Sequence, residues 1–328
     1  MNITLQTLCE DFIRNRDTVK AAFRWESSYI YPVCASIFTD RRVKADTDKL
    51  YKCRDILKAR TGAFSNFRGN PRLAVISMMA LEDAPEERLD RALRVFDSLR
   101  SHFSNSQYLP VASMVIAGLT EPGFYEECAA RTRQIFELMR AEHPFLTSGE
   151  DSVFAALLAL SELDEEAIVE QTERCYRILK GSFFSPNAVQ SLSHVLALCD
   201  GDPEEKCART LELQQAIRDR GCLYGTGYEL ATLGVLAMLP GSRDALVDDL
   251  VETDAFLSRQ KGYGIFGPGR KMRLMHAGMI VTSDRMSVEL PGTMQSVAMS
   301  AAISLAAAQQ AALCAALAAT AAAQSASN

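Results

Sequence analysis

A pattern about 40 residues long recurs along most of this chain, which limits the fold to architectures in which one small unit stacks on copies of itself. The clearest copy runs from Gly62 to Arg100. It reads as a loop with glycine and phenylalanine, a short apolar helix, an acidic turn with proline, and a longer amphipathic helix. Leu73, Val75, Ile76, Met78 and Met79 make the first helix, Arg72 to Leu81, apolar nearly all round, so it suits burial on most sides. Leu89, Ala92, Leu93, Phe96 and Leu99 give the second helix a single apolar stripe, with acids and arginines elsewhere. Inner and outer helices are thereby distinguished. Aligning the ends of the inner helices sets Ala80, Gly118, Ala159, Ala197, Ala237 and Val281 in register. The register predicts inner helices near 72–81, 110–119, 151–160, 189–198, 229–238 and 273–281, with outer helices after the first five.

The flanks extend the pattern. Leu5, Leu8, Phe12 and Val19 predict an amphipathic helix from Ile3 to about Trp25, within an N-terminal segment 1–27. Tyr31 to Phe38 is a short apolar segment, and Leu50, Cys53 and Leu57 mark the helix after it as the outer member of the first pair. Turn chemistry agrees: Asp202-Pro203-Glu204-Glu205 offers an N-cap, proline at the first helical position and a capping-box glutamate. Arg100, Arg140, Lys180 and Lys261 end outer helices, where cations suit the macrodipole. The repeats occupy 28–284 of a single α/α domain, about six helical hairpins in an all-α toroid or an open superhelix. Thr282 to Pro291 then reads as a polar connection, and an Ala-rich helix from about Thr293 to Ala323, in the segment 285–328, reads as a cap. Its glutamines, Gln309 and Gln310, and alanine in place of leucine argue against a membrane span.

Composition narrows the partners. The net charge of -6, with no dense basic run, argues against nucleic acid. Nine cysteines without a CxxC pair suit reduced thiols, and no export signal opens the chain, so the expected location is the cytoplasm.

Several motifs invite chemistry that their context does not favour. Gly262-Tyr263-Gly264-Ile265-Phe266-Gly267 spells GxGxxG, but it follows an outer helix rather than a strand, so it reads as a turn and no nucleotide cofactor is expected. Asp248-Asp249-Leu250-Val251-Glu252 resembles a magnesium-diphosphate motif, yet its register matches Glu86-Glu87 and Glu165-Glu166, a solvated face. The histidines lack ligand spacing, and Cys53 and Cys175 fall at core positions, so no metal is expected. His194 and His276 lie on inner helices; His276 is the candidate to line a cavity.

The starts of the inner helices carry more information. Arg72, Pro110, Asp151, Val189, Glu229 and Arg273 align there, and the loops before them hold Arg68, Glu150, Asn187, Tyr224, Tyr228, Tyr263 and Arg270. Charged groups at that depth are unfavourable unless paired or used by a ligand. One reading is ion pairing between repeats. The other is a rim that binds a small molecule or peptide: Arg68, Arg72, Arg270 and Arg273 clamp an acidic head, while Asp151 and Glu229 orient them or act as acid or base. The apolar inner faces then receive the rest, making the expected ligand an acidic amphiphile. The alternative is an enzyme acting on an apolar, isoprenoid-like substrate. No catalytic constellation is legible, and the oligomeric state is left open.

The loop Gly62-Ala63-Phe64-Ser65-Asn66-Phe67-Arg68-Gly69, with the repeats after it, resembles a bacterial family known as domain of unknown function 4003 over nearly the whole chain. That resemblance implies no activity. More distantly, the Gly-x-Phe loop before an apolar helix is similar to the repeats of protein prenyltransferases and terpene cyclases, which implies an α/α toroid and not a chemistry.

Overall fold

Where apolar residues occupy every face of a helix, only a position between other helices satisfies them, and this rule sorts the chain into two layers. In the computed structural model, which describes residues 2–104, 106–161, 163–264 and 267–288, the described residues are helices, short 3-10 turns and loops, with no strand. After α1 (Ile3–Ala22), inner helices α2 (Ile30–Asp40), α4 (Arg72–Met79), α6 (Leu109–Leu119), α8 (Asp151–Ala159), α10 (Pro186–Leu198) and α12 (Glu229–Met238) alternate with outer ones. The outer helices are α3 (Thr47–Arg60), α5 (Pro85–His102), α7 (Tyr125–Glu142), α9 (Glu165–Leu179), α11 (Pro203–Asp219) and α13 (Arg243–Ser258), and α14 (Arg270–Val288) is a further inner helix. Every residue from Leu73 to Met79 in α4 is buried, whereas α5 buries one stripe, including Leu89, Ala92, Val95, Phe96 and Leu99. Burying each such large side chain contributes about 1.5–3 kcal/mol. The six hairpins and the positions of the inner helices match the sequence register.

The described residues form two compact units, residues 14–169 and residues 2–13 with 170–288. In the first, inner helices pack in the order α2, α4, α6, α8; in the second, α10 packs on α12 and α12 on α14. Close approach in the second unit depends on glycine. A Cβ on Gly234 would lie 2.6 Å from Leu192 Cδ1, and one on Gly278 would lie 2.8 Å from Leu236 Cδ1. Glycine in a helix interior is unfavourable by roughly 1 kcal/mol relative to alanine, so tight helix packing explains both positions.

One expectation fails at α14. The polar stretch beginning at Thr282 is helical through Val288 rather than a connection. Thr282, Ser283 and Asp284 are buried, and Ser283 Oγ donates back to Met279 O at 2.9 Å, as Ser77, Ser113 and Ser193 do to Leu73, Leu109 and Val189. A hydroxyl satisfied within its own helix does not break it. The Ala-rich helix expected at 293–323 lies outside the described residues.

Cations on outer helices close the ends of inner ones. Arg88 on α5 donates to Met114 O of α6 at 2.6 Å, and Arg131 on α7 donates to Ala159 O and Ser161 O at 2.9 Å and to Leu163 O after α8. In the second unit Arg209 on α11 reaches Leu239 O at the end of α12, and Lys206 reaches Cys199 O at the end of α10. Apart from Met114 O, which lies mid-helix and within reach of its own i+4 amide, these carbonyls have no partner inside their own helices, and a cation also suits the negative end of the dipole. Arg131→Met should lower stability by roughly 1.5–3 kcal/mol in urea unfolding, because it removes several charge-assisted bonds at once. Arg94→Met on the exposed face of α5 should change it by about 0.5 kcal/mol or less.

Candidate functional site

In both units the loops that end outer helices and start inner ones hold the residues singled out from the sequence. In the first unit Arg68 donates through Nη2 to Thr61 O at 2.6 Å and to Lys58 O, and through Nε to Thr61 Oγ1 at 3.1 Å. Its guanidinium therefore caps the end of α3. Arg72, at the start of α4, forms an ion pair with Glu26 in the loop before α2. Asp151 opens α8 and is only 3% exposed; its Oδ2 accepts from Ser148 N at 2.8 Å. Burial pushes the Asp151 carboxyl up to about 7, the Ser148 amide opposes that shift, and neighbouring Glu150 adds to it. Burial raises Glu150 as well.

In the second unit the starts of α12 and α14 are built differently. Tyr228 precedes α12, and Glu229 folds back so that its Oε2 accepts from Gly227 N at 3.1 Å. A Cβ on Gly225 would overlap this carboxylate, so the loop needs glycine there. Tyr263 OH and His276 Nδ1 share a hydrogen bond of 2.9 Å, both residues are buried, and Phe12 lies against the imidazole with centroids 6.3 Å apart. His276 is thus part of a packed interior. Arg273 grips Asp254 of α13 through Nε and Nη2, both at 2.8 Å, whereas Arg270 is exposed. Ion pairing accounts for Arg72 and Arg273, with Glu26 and Asp254 in the orienting role that the sequence reading gave to Asp151 and Glu229.

The discounted motifs can be placed too. Asp248 pairs with Arg220, just after α11, while Asp249 pairs with Arg285 of α14 at 2.7 Å, so the two carboxylates are held from different elements. Among the described residues no group of three or more His, Cys, Asp or Glu is placed to hold a metal ion. In GxGxxG, Gly262 has φ +93° and Gly267 N donates to Gly264 O at 2.8 Å, closing a turn; Ile265 and Phe266 lie outside the described residues. The thiols of Cys53, Cys128, Cys175 and Cys207 are buried and free. Among the described residues no helix is long and apolar enough to cross a membrane.

Apart from Phe64, in the Gly-x-Phe loop, the exposed aromatic residues did not stand out in the sequence. Trp25, Phe64 and Phe145 in the first unit and Phe184 in the second stand in loops before inner helices. Their recurrence at nearly the repeat length was the available signal.

Two measurements follow from this geometry. The raised pKa means that the folded state holds more protons than the unfolded state between about pH 4 and 7, so Asp151 makes stability fall as pH rises through that window. Asp151→Asn should gain on wild type in urea unfolding from about pH 4 to 8, and a gap independent of pH would show an ordinary carboxyl. Arg273 and Asp254 side chains are each 16% exposed, and a double-mutant cycle with Arg273→Gln and Asp254→Asn should give a coupling of roughly 0.5–3 kcal/mol without any ligand. Strictly additive effects would count against a stabilising pair.

No curated protein and no solved structure matches the chain. A match over residues 15–311, nearly the full run of helices described above, shows that the chain belongs to the family described as protein of unknown function (DUF4003).

Proposed function

We propose that this is a cytoplasmic binding protein that takes an acidic amphiphile or peptide at the loop end of its repeats, where the inner helices begin. The observation that carries this reading is the segregation of charge along the outer helices. Their first turns are acidic, with Glu86 and Glu87 on α5, Glu126 and Glu127 on α7, and Glu204 and Glu205 on α11. Their last turns hold cations, with Lys58 and Arg60 on α3, Arg140 beside Glu142 on α7 and Arg218 beside Asp219 on α11, although α13 has none. Cations thus recur at the loop end of each unit although the chain is acidic overall. Arg270 adds an exposed guanidinium at that end of the second unit, suited to a carboxylate or phosphate. The wider architecture we read as an α/α toroid of the kind seen in prenyltransferases and terpene cyclases, or an open superhelix, supported by the even alternation of inner and outer helices.

A second reading, an enzyme acting on an apolar, isoprenoid-like substrate, draws on Asp151, whose carboxyl titrates where proton transfer is practical. Its burial favours the binding reading. No metal or cofactor is invoked in either case.

Calorimetric titration with dodecyl phosphate, kept below its micelle concentration, tests the proposal. Wild type should bind, Arg270→Gln should weaken binding, and uncharged dodecanol should bind less well than the phosphate. Equal affinity for the charged and uncharged amphiphiles would remove the acidic-head requirement, and no binding of dodecyl phosphate would remove the proposal.

A further inference from the structure

Four aromatic side chains project from the loop ends with almost nothing covering them. Trp25 is 98% exposed, Phe64 101%, Phe145 97% and Phe184 98%, so each keeps essentially its whole ring in water. Large apolar side chains in that state are unfavourable, and loop positions offer polar alternatives. The neighbouring aromatics behave oppositely: Phe67 and Phe183 lie in the same loops as Phe64 and Phe184 and are buried. The loops therefore anchor one ring inward and present another outward. Exposed cations flank the outward rings: Lys20 and Arg24 beside Trp25, Lys58 before Phe64, Arg140 before Phe145, and Lys180 before Phe184.

We propose that the loop end of the first unit, carrying Trp25, Phe64 and Phe145 among Lys20, Arg24 and Arg140, docks on the surface of an anionic lipid bilayer. The inference rests on the reading of that end as the site for acidic amphiphiles and names the form in which they are met. Aromatic rings favour the boundary between head groups and acyl chains, and lysine and arginine are drawn to anionic head groups. A peptide-binding site would clasp its ligand between walls, whereas rings exposed on every side have no wall to offer. A bilayer supplies an apolar medium for each ring at once, beneath a layer of negative charge. Such docking needs no membrane-crossing helix, because the association lies in the interface. Phe184 and Lys180 give the second unit the same pairing of ring and cation.

Trp25 is the single tryptophan of the chain, so its fluorescence reports on the proposed contact directly. The full chain is titrated with vesicles of mixed phosphatidylglycerol and phosphatidylcholine, or of phosphatidylcholine alone, and sedimented with them. The expected result is a shift of emission to shorter wavelength and co-sedimentation with the anionic vesicles, weakened by salt. Phe64→Ser with Phe145→Ser should abolish co-sedimentation, and Lys20→Gln with Arg24→Gln should weaken it roughly tenfold or more. Circular dichroism matching wild type would confirm that these loop variants fold; should either pair misfold, shielding of Trp25 from iodide by the anionic vesicles, in wild type, decides instead. If the vesicles fail to bind while dodecyl phosphate still binds in solution, the bilayer inference is overturned and the amphiphile reading stands. If neither binds, both fall. Self-association through Phe64 and Phe145 without lipid, or capture of an acidic peptide but not vesicles, would also overturn the bilayer inference.

Discussion

The structure depends on how the carboxyl ends of its inner helices are satisfied. Those helices are short and apolar on all sides, and their last carbonyls emerge beside other protein rather than in open water. Arg88 reaches from the outer helix of the preceding hairpin to Met114 O within α6, and Arg131, placed likewise, meets this need for α8. Arg209 does the same for α12. Apolar packing alone is non-directional and would tolerate sliding of one hairpin along the next. A guanidinium bonded to named carbonyls fixes that register.

A second set of contacts follows from the same arrangement. Consecutive outer helices run parallel, so charged side chains on one come beside opposite charges on another. Arg60 meets Asp90, His102 meets Glu126 and Arg131 meets Glu165 in the first unit; Arg174 meets Glu204 and Arg243 meets Glu212 in the second. Most of these pairs are exposed and individually weak. Their net effect is to tie each outer helix to the next along the array.

The fold was largely legible because burial on all sides and burial on one side leave different sequence patterns, as α4 and α5 show. What hides at the candidate site is partner identity. Arg72 and Arg273 read as charged starts of inner helices, but Glu26 and Asp254 lie outside the aligned column, so the alignment could not pair them. His276 read as a residue between core and cavity, and the hydroxyl of Tyr263 with the ring of Phe12 settles it in the interior. The extension of α14 was masked by Thr282, Ser283 and Asp284, whose polarity resembles a loop once the bonds within the helix are unseen. Exposure was equally hidden at Phe64 and Phe67, which are chemically identical and three residues apart but end on opposite sides of the surface.

The reach of Arg131 has a temporal side. Its acceptor at Ala159 lies 28 residues further along the chain. At ribosomal rates of about 5–20 residues per second, the arginine is made roughly 1–6 s before the carbonyl it will hold. Each such outer helix is therefore synthesised already carrying the clasp for an inner helix that follows it.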